Sequence, residues 1–75
     1  MSSQVRDLLM ASNDEFRRLV QEHSQYSHRL ESLITKRYLS EDEKVEEVRL
    51  KKLKLRLKDQ MESIEKEYRR AHQVA

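Results

Sequence analysis

Glycine, proline, cysteine and tryptophan are absent from the 75 residues, and phenylalanine and tyrosine together supply only 5% of them. Each absence excludes something. Without glycine or proline, tight turns at positive φ and sharp hairpins are hard to build, which argues against a β architecture. Without cysteine there is no disulfide framework, no thiolate zinc site and no cysteine nucleophile. A reducing cytoplasm is the compartment this composition fits, and a cytoplasmic location is the expectation. The longest apolar run is Leu8 to Ala11. It is far too short for a membrane span or a signal-peptide core, so no membrane partner is expected. Strong excess charge is also missing. The formal net charge is +2, well short of a dedicated DNA-binding arm.

What remains is rich in Glu, Lys, Arg and Leu, with 40% of residues charged. That is the composition of long helices and coiled coils. One domain, residues 1–75, is the most such a chain supports. Below roughly 70–80 residues a single core supplies little net stability, so self-association or a protein partner is the expected remedy.

The apolar positions define the architecture. After loose residues Met1 to Gln4, the spacing of Val5, Leu8 and Leu9 predicts a short helix folding its apolar edge onto the main body. Ser12 with Glu15, or Asn13 directly, then caps a new helix, and Asn13 is the preferred choice. Phe16, Leu19, His23, Tyr26, Leu30 and Leu33 follow at alternating intervals of three and four, with Val20 and Ile34 widening the stripe. This is a core-facing helical seam, expected to run from about 13 to 37. The connection is expected at about 38–40, where Tyr38 is either a cover for the seam or an exposed contact. Ser40 followed by Glu43 fits a capping box. Five acids between Glu41 and Glu47, and Arg69 and Arg70 near the other end, suit the dipole of a second helix from about 41 to 71.

The stretch Leu50 to Asp59, LKKLKLRLKD, looks locally like a strand. At about 100° per residue the alternation divides instead between two faces of one helix. Leu50, Leu57, Met61, Ile64 and Tyr68 share a sector, with Leu53 at its edge. Val48 and Leu55 lie opposite. Pairing residue i with residue 80 − i matches Leu30 with Leu50, His23 with Leu57, Leu19 with Met61 and Phe16 with Ile64. One rule for four pairs predicts an all-α antiparallel two-helix hairpin, coiled-coil-like, with a short N-terminal helical segment.

The segments EHSQYSHRLESL (Glu22 to Leu33), YLSEDE (Tyr38 to Glu43) and LKKLKLRLKDQMESI (Leu50 to Ile64) resemble the YdcH-like family of small bacterial proteins, a domain family of unknown function. The likeness covers about Asn13 to Ile64, and the LKK block is its most specific element. The family pattern usually has Leu-Asp where this chain has Tyr26-Ser27, so no role for an acid at position 27 carries over. It often has Asp-Pro at Asn13-Asp14, where only a preferred first-turn proline is lost. The resemblance implies a helical hairpin of coiled-coil character in a bacterial cytoplasm. It supplies no catalytic residues.

Chemistry-bearing constellations are sparse. His23 in the seam reads either as a pH-sensitive residue or ligand, or as a packed ring bonded to Ser27 or Glu22, and the packed ring is favoured. His28 and His72 are too far from its face to build a metal site with it. Tyr26 and Tyr68 read as edges of the seam. No serine has a base and an orienting partner arranged beside it, and a two-helix hairpin offers no deep pocket. No enzymatic role, cofactor, metal or small-molecule substrate is therefore expected.

The basic run from Arg49 to Lys58 carries six cations. Arg49, Lys52 and Arg56 border Val48 and Leu55 on one side, and Lys51, Lys54 and Lys58 border them on the other. Three readings follow. The run is a solvated face with local pairs such as Glu47–Lys51. Or it is a protein interface, with Val48, Leu55, Lys51, Lys52, Arg56 and Lys58 as contacts to an acidic partner, a second copy included. Or it binds the phosphate backbone of nucleic acid. Nearby acids and the lack of stacking aromatics weigh against the last. The interface reading is the main expectation, and nucleic-acid binding is the alternative.

Overall fold

The structure, a computed structural model, describes residues 2–72. Three helices follow in order: α1 (Ser2–Ser12), α2 (Asp14–Ile34) and α3 (Glu41–Ala71). No strand occurs among the described residues. α2 and α3 form the hairpin, and α1 folds against both. The resulting body measures 54 × 21 × 17 Å.

A single residue separates α1 from α2. Asn13 adopts an extended conformation (φ −123°, ψ 108°), and its Oδ1 accepts the Phe16 N–H at 2.9 Å. This is the N-cap that satisfies an otherwise orphaned donor. Ser12 does not cap. Its hydroxyl donates back to the Leu8 carbonyl at 2.7 Å, closing α1. α1 begins at Ser2, so residues 2–4 are helical rather than loose, and Met1 lies outside the described residues. The α1 sequence has no acid in its first turn and no base in its last. Its order therefore derives from packing. Leu9 is buried, Val5 and Met10 lean on the same cluster, and Arg6 stands over the Phe16 ring at 5.9 Å. With the Arg6 side chain half exposed, the cation–π contact is worth about 0.5–1 kcal/mol.

α2 ends at Ile34, short of the expected Arg37, and the connection occupies 35–40 rather than 38–40. Among the described residues none has positive φ, so α2 does not close with a left-handed residue. It tightens instead. Thr35 N–H bonds the Glu31 carbonyl, Lys36 N–H bonds the Leu33 carbonyl at 3.2 Å, and the Thr35 hydroxyl bonds Ser32 O. Reversal then takes several more residues, with Tyr38 exposed and Leu39 half-buried against the hairpin core. Ile34 points into solvent instead of widening the seam.

α3 starts on the capping box. Ser40 Oγ accepts from Glu43 N–H at 3.1 Å, and Glu43 Oε1 accepts from Ser40 N–H at 2.9 Å. Its far end closes at His72, whose ring stacks on Tyr68 at 4.0 Å and whose Nδ1 lies 2.9 Å from the Tyr68 carbonyl oxygen.

The core forms two clusters along the seam. Leu9, Phe16, Leu19, Leu57 and Met61 make one, with Ile64 packed against it. Leu30, Leu33 and Leu50 make the other. Three of the expected pairs, Leu30 with Leu50, Leu19 with Met61 and Phe16 with Ile64, thus fall in common clusters. Tyr26 packs against both, at the waist between them. His23 and Leu53 are half-buried. Leu9 belongs to the core although the heptad of the hairpin does not include it.

Candidate interaction face

α3 is longer than α2, and only part of its circumference is covered. Leu50, Leu57 and Met61 face α2. Two acids turn the same way. Glu46 accepts a two-pronged bond from Arg29 of α2, at 2.7 and 2.8 Å. Glu43 meets Lys36 at the hairpin end. The Lys36 ammonium and the Ser40 N–H hold the Glu43 carboxyl at about 2, and the Arg29 bond holds Glu46 below the usual carboxylate range.

That arrangement fixes the outer face. With Glu46 committed to Arg29 of α2 and Glu43 to Lys36 of the connection, Val45 and Val48 point to solvent, 59% and 52% exposed, and Leu55 follows at 59%. Val45, Val48, Arg49, Lys52, Leu53 and Arg56 line a shallow groove of about 490 Å³. It lies along roughly three turns of α3, since eleven residue steps at 1.5 Å rise cover about 17 Å.

Among the described residues all but one of the six cations of this region lack an acid partner. Lys51 reaches Glu47 at 3.8 Å, the local pair the sequence suggests. Among the described residues Arg49, Lys52, Lys54, Arg56 and Lys58 form no ion pair. Local pairing therefore does not neutralise the run. Of the six expected contacts, the groove brings together Val48, Lys52 and Arg56. Leu55, Lys51 and Lys58 lie outside it, with Leu55 exposed on the adjoining surface. The groove adds Val45 and Arg49 to the expected contacts, and Leu53, expected at the edge of the core sector, lines it as well. Their spacing with Lys52 and Arg56 is the signal that groups them.

His23 occupies the other flank. Burial, then the positive charges of Lys54, Arg6 and Lys58, push its imidazole below the ordinary value. No group of three potential metal-ligating side chains occurs among the described residues. None of the described helices is long and apolar enough to cross a membrane. A second shallow groove, about 410 Å³, lies where Leu9 and Asn13 approach Ile64 and Tyr68.

A family model described as "Protein of unknown function (DUF465)" matches residues 16–65, two thirds of the chain. This agrees with the YdcH-like resemblance. The match begins at Phe16 and ends one residue beyond Ile64. It thus spans the paired length of the hairpin and leaves α1 outside. No curated protein and no solved structure matches the chain.

Proposed function

Because the chain belongs to the DUF465 family, whose function is unknown, we propose its role from the residues themselves. It is a small, non-enzymatic, cytoplasmic interaction or assembly module. It acts by helix-face recognition, through self-association into a four-helix arrangement or by docking on a larger protein. The contact surface is the outer face of α3, with Val48 and Leu55 as apolar anchors and Lys51, Lys52, Arg56 and Lys58 as the charged border.

One observation carries this reading. Large apolar side chains stand more than half exposed on α3 beside Lys52, Arg56 and Lys58, which form no ion pair among the described residues. A helix with no task on that face gains solubility from paired charges and polar residues there. Exposed valine and leucine gain nothing in water, whereas a partner that covers them removes apolar surface from solvent at about 25 cal/mol per Å². The test is Leu55→Glu, read by circular dichroism and sedimentation. Helix content stays intact and association is lost. Association that survives the change places the interface elsewhere.

The unpaired cations also favour a second reading, contact with the phosphate backbone of nucleic acid. It requires binding that collapses with salt, because each neutralised phosphate releases a counterion. Absence of binding at low salt removes that reading.

A further inference from the structure

The groove on α3 is more specific than the face as a whole. Its lining combines three apolar side chains, Val45, Val48 and Leu53, with three cationic ones, Arg49, Lys52 and Arg56. The cations recur about once per turn. None has a carboxylate within 4.0 Å among the described residues. The acids nearest the start of the groove, Glu43 and Glu46, are held by Lys36 of the connection and Arg29 of α2.

A second copy fits this groove poorly. Side by side in parallel, Arg49, Lys52 and Arg56 each meet themselves. Antiparallel about the groove centre, Val48 of one copy meets Leu53 of the other, but Arg49 meets Lys52 and Val45 meets Arg56. Sliding the helices until Glu41 meets Arg56 places Val45 on Lys52 and Val48 on Arg49, so no apolar anchor meets another. Sliding further until Glu41 meets Lys52 brings Val45 onto Val48, but it opposes Arg49 to Lys44 and carries Leu53 and Arg56 past the start of the other α3. A two-fold interface pairs residue i with j and j with i, and in each of these registers a groove cation meets a cation or an apolar side chain instead of an acid.

Resting on the interaction reading above, we infer that the groove takes an acidic amphipathic helix of a different protein. That helix lays aliphatic residues at helical spacing on Val45, Val48 and Leu53. It carries Asp or Glu on its borders, against Arg49, Lys52 and Arg56. The three cations then gain the acids that the hairpin does not supply, and like-charged or neutral helices are rejected.

The test is photo-crosslinking with the full chain in its own cells. Benzoylphenylalanine is placed at Lys52, inside the groove, or at Leu55, outside it, and the captured peptides are sequenced. The expected result is capture at position 52 of a segment from another protein, with apolar residues at helical spacing and flanking Asp or Glu. Capture drops at least roughly tenfold when Arg49→Glu and Arg56→Glu are combined, with helix content unchanged. Capture at 52 of the chain itself, of nucleic acid or of a segment without acids overturns the inference, as does insensitivity to the charge reversal. Capture of another protein at 55 alone overturns the groove inference and leaves the interaction module standing. No protein captured at either position overturns both.

Discussion

Replacing Phe16 by alanine should nearly unfold this protein. The ring is fully buried, at 0% exposure, where α2 meets α1 and α3. It shares its cluster with Leu9, Leu19, Leu57 and Met61, and Arg6 stands over one face. Truncating a buried phenylalanine costs about 3–5 kcal/mol, from lost transfer energy and the cavity left behind. Whole-protein stability runs at about 0.05–0.15 kcal/mol per residue, or about 4–11 kcal/mol for a chain of this length. One substitution therefore removes between about a quarter and all of it. The hairpin has little means of closing the gap, because a two-helix layer has few neighbours to collapse inward. Urea denaturation followed by helical circular dichroism measures the loss. A cost below about 1 kcal/mol would refute the reasoning, since that is the scale of a surface change. It would mean that α1 does not seal this end of the seam.

Other perturbations address the turn and the flank. Ser40→Ala removes the cap on α3 and should cost about 0.5–2 kcal/mol in a thermal or urea melt, with no change in the folded helix content. Glu43 has a folded value of about 2, below its ordinary 4.5. Its contribution is fully present above the unfolded value and is lost as pH falls from there toward 2. Glu43→Gln should flatten that part of the acid limb in a pH series of melts. His23 acts in the same direction over a higher pH range, because its depressed imidazole value disfavours the charged form. The unfolded chain takes up the proton first, so stability falls as pH drops below about 6.5 and levels off once the folded ring is protonated too. His23→Leu should abolish that part of the pH dependence. An unchanged profile in the variant would show that the ring is not held between Lys54, Arg6 and Lys58.

The hairpin was readable because two independent signals agree. A three-four apolar spacing on each arm shares one antiparallel rule, and Ser40 with Glu43 marks where the second arm starts. The end of α2 was less readable. Its position depends on how a chain without glycine closes a helix, through the short-range bonds at Thr35 and Lys36 and not through a residue type. Leu9 was named with Val5 and Leu8, but which of the three is buried depends on the bend at Asn13. Leu9 turns inward and Leu8 outward. Val45 was hidden for an electrostatic reason. It sits among acids that read as a helix N-terminus, and only the pairing of Glu46 with Arg29 and of Glu43 with Lys36 shows that the valine faces water. The groove therefore follows from tertiary pairing, whereas the basic run beside it is plain in the sequence.

The central claim is that the outer face of α3 is a protein-docking surface. The most direct measurement is a pull-down of the tagged chain from its own cell lysate, with and without nuclease, beside the Val48→Glu and Leu55→Glu variants. The account predicts one or two proteins, or further copies of the chain, retained in both wild-type samples and lost with the variants. Retention unchanged in the variants, or loss of the co-purifying material after nuclease, would contradict it.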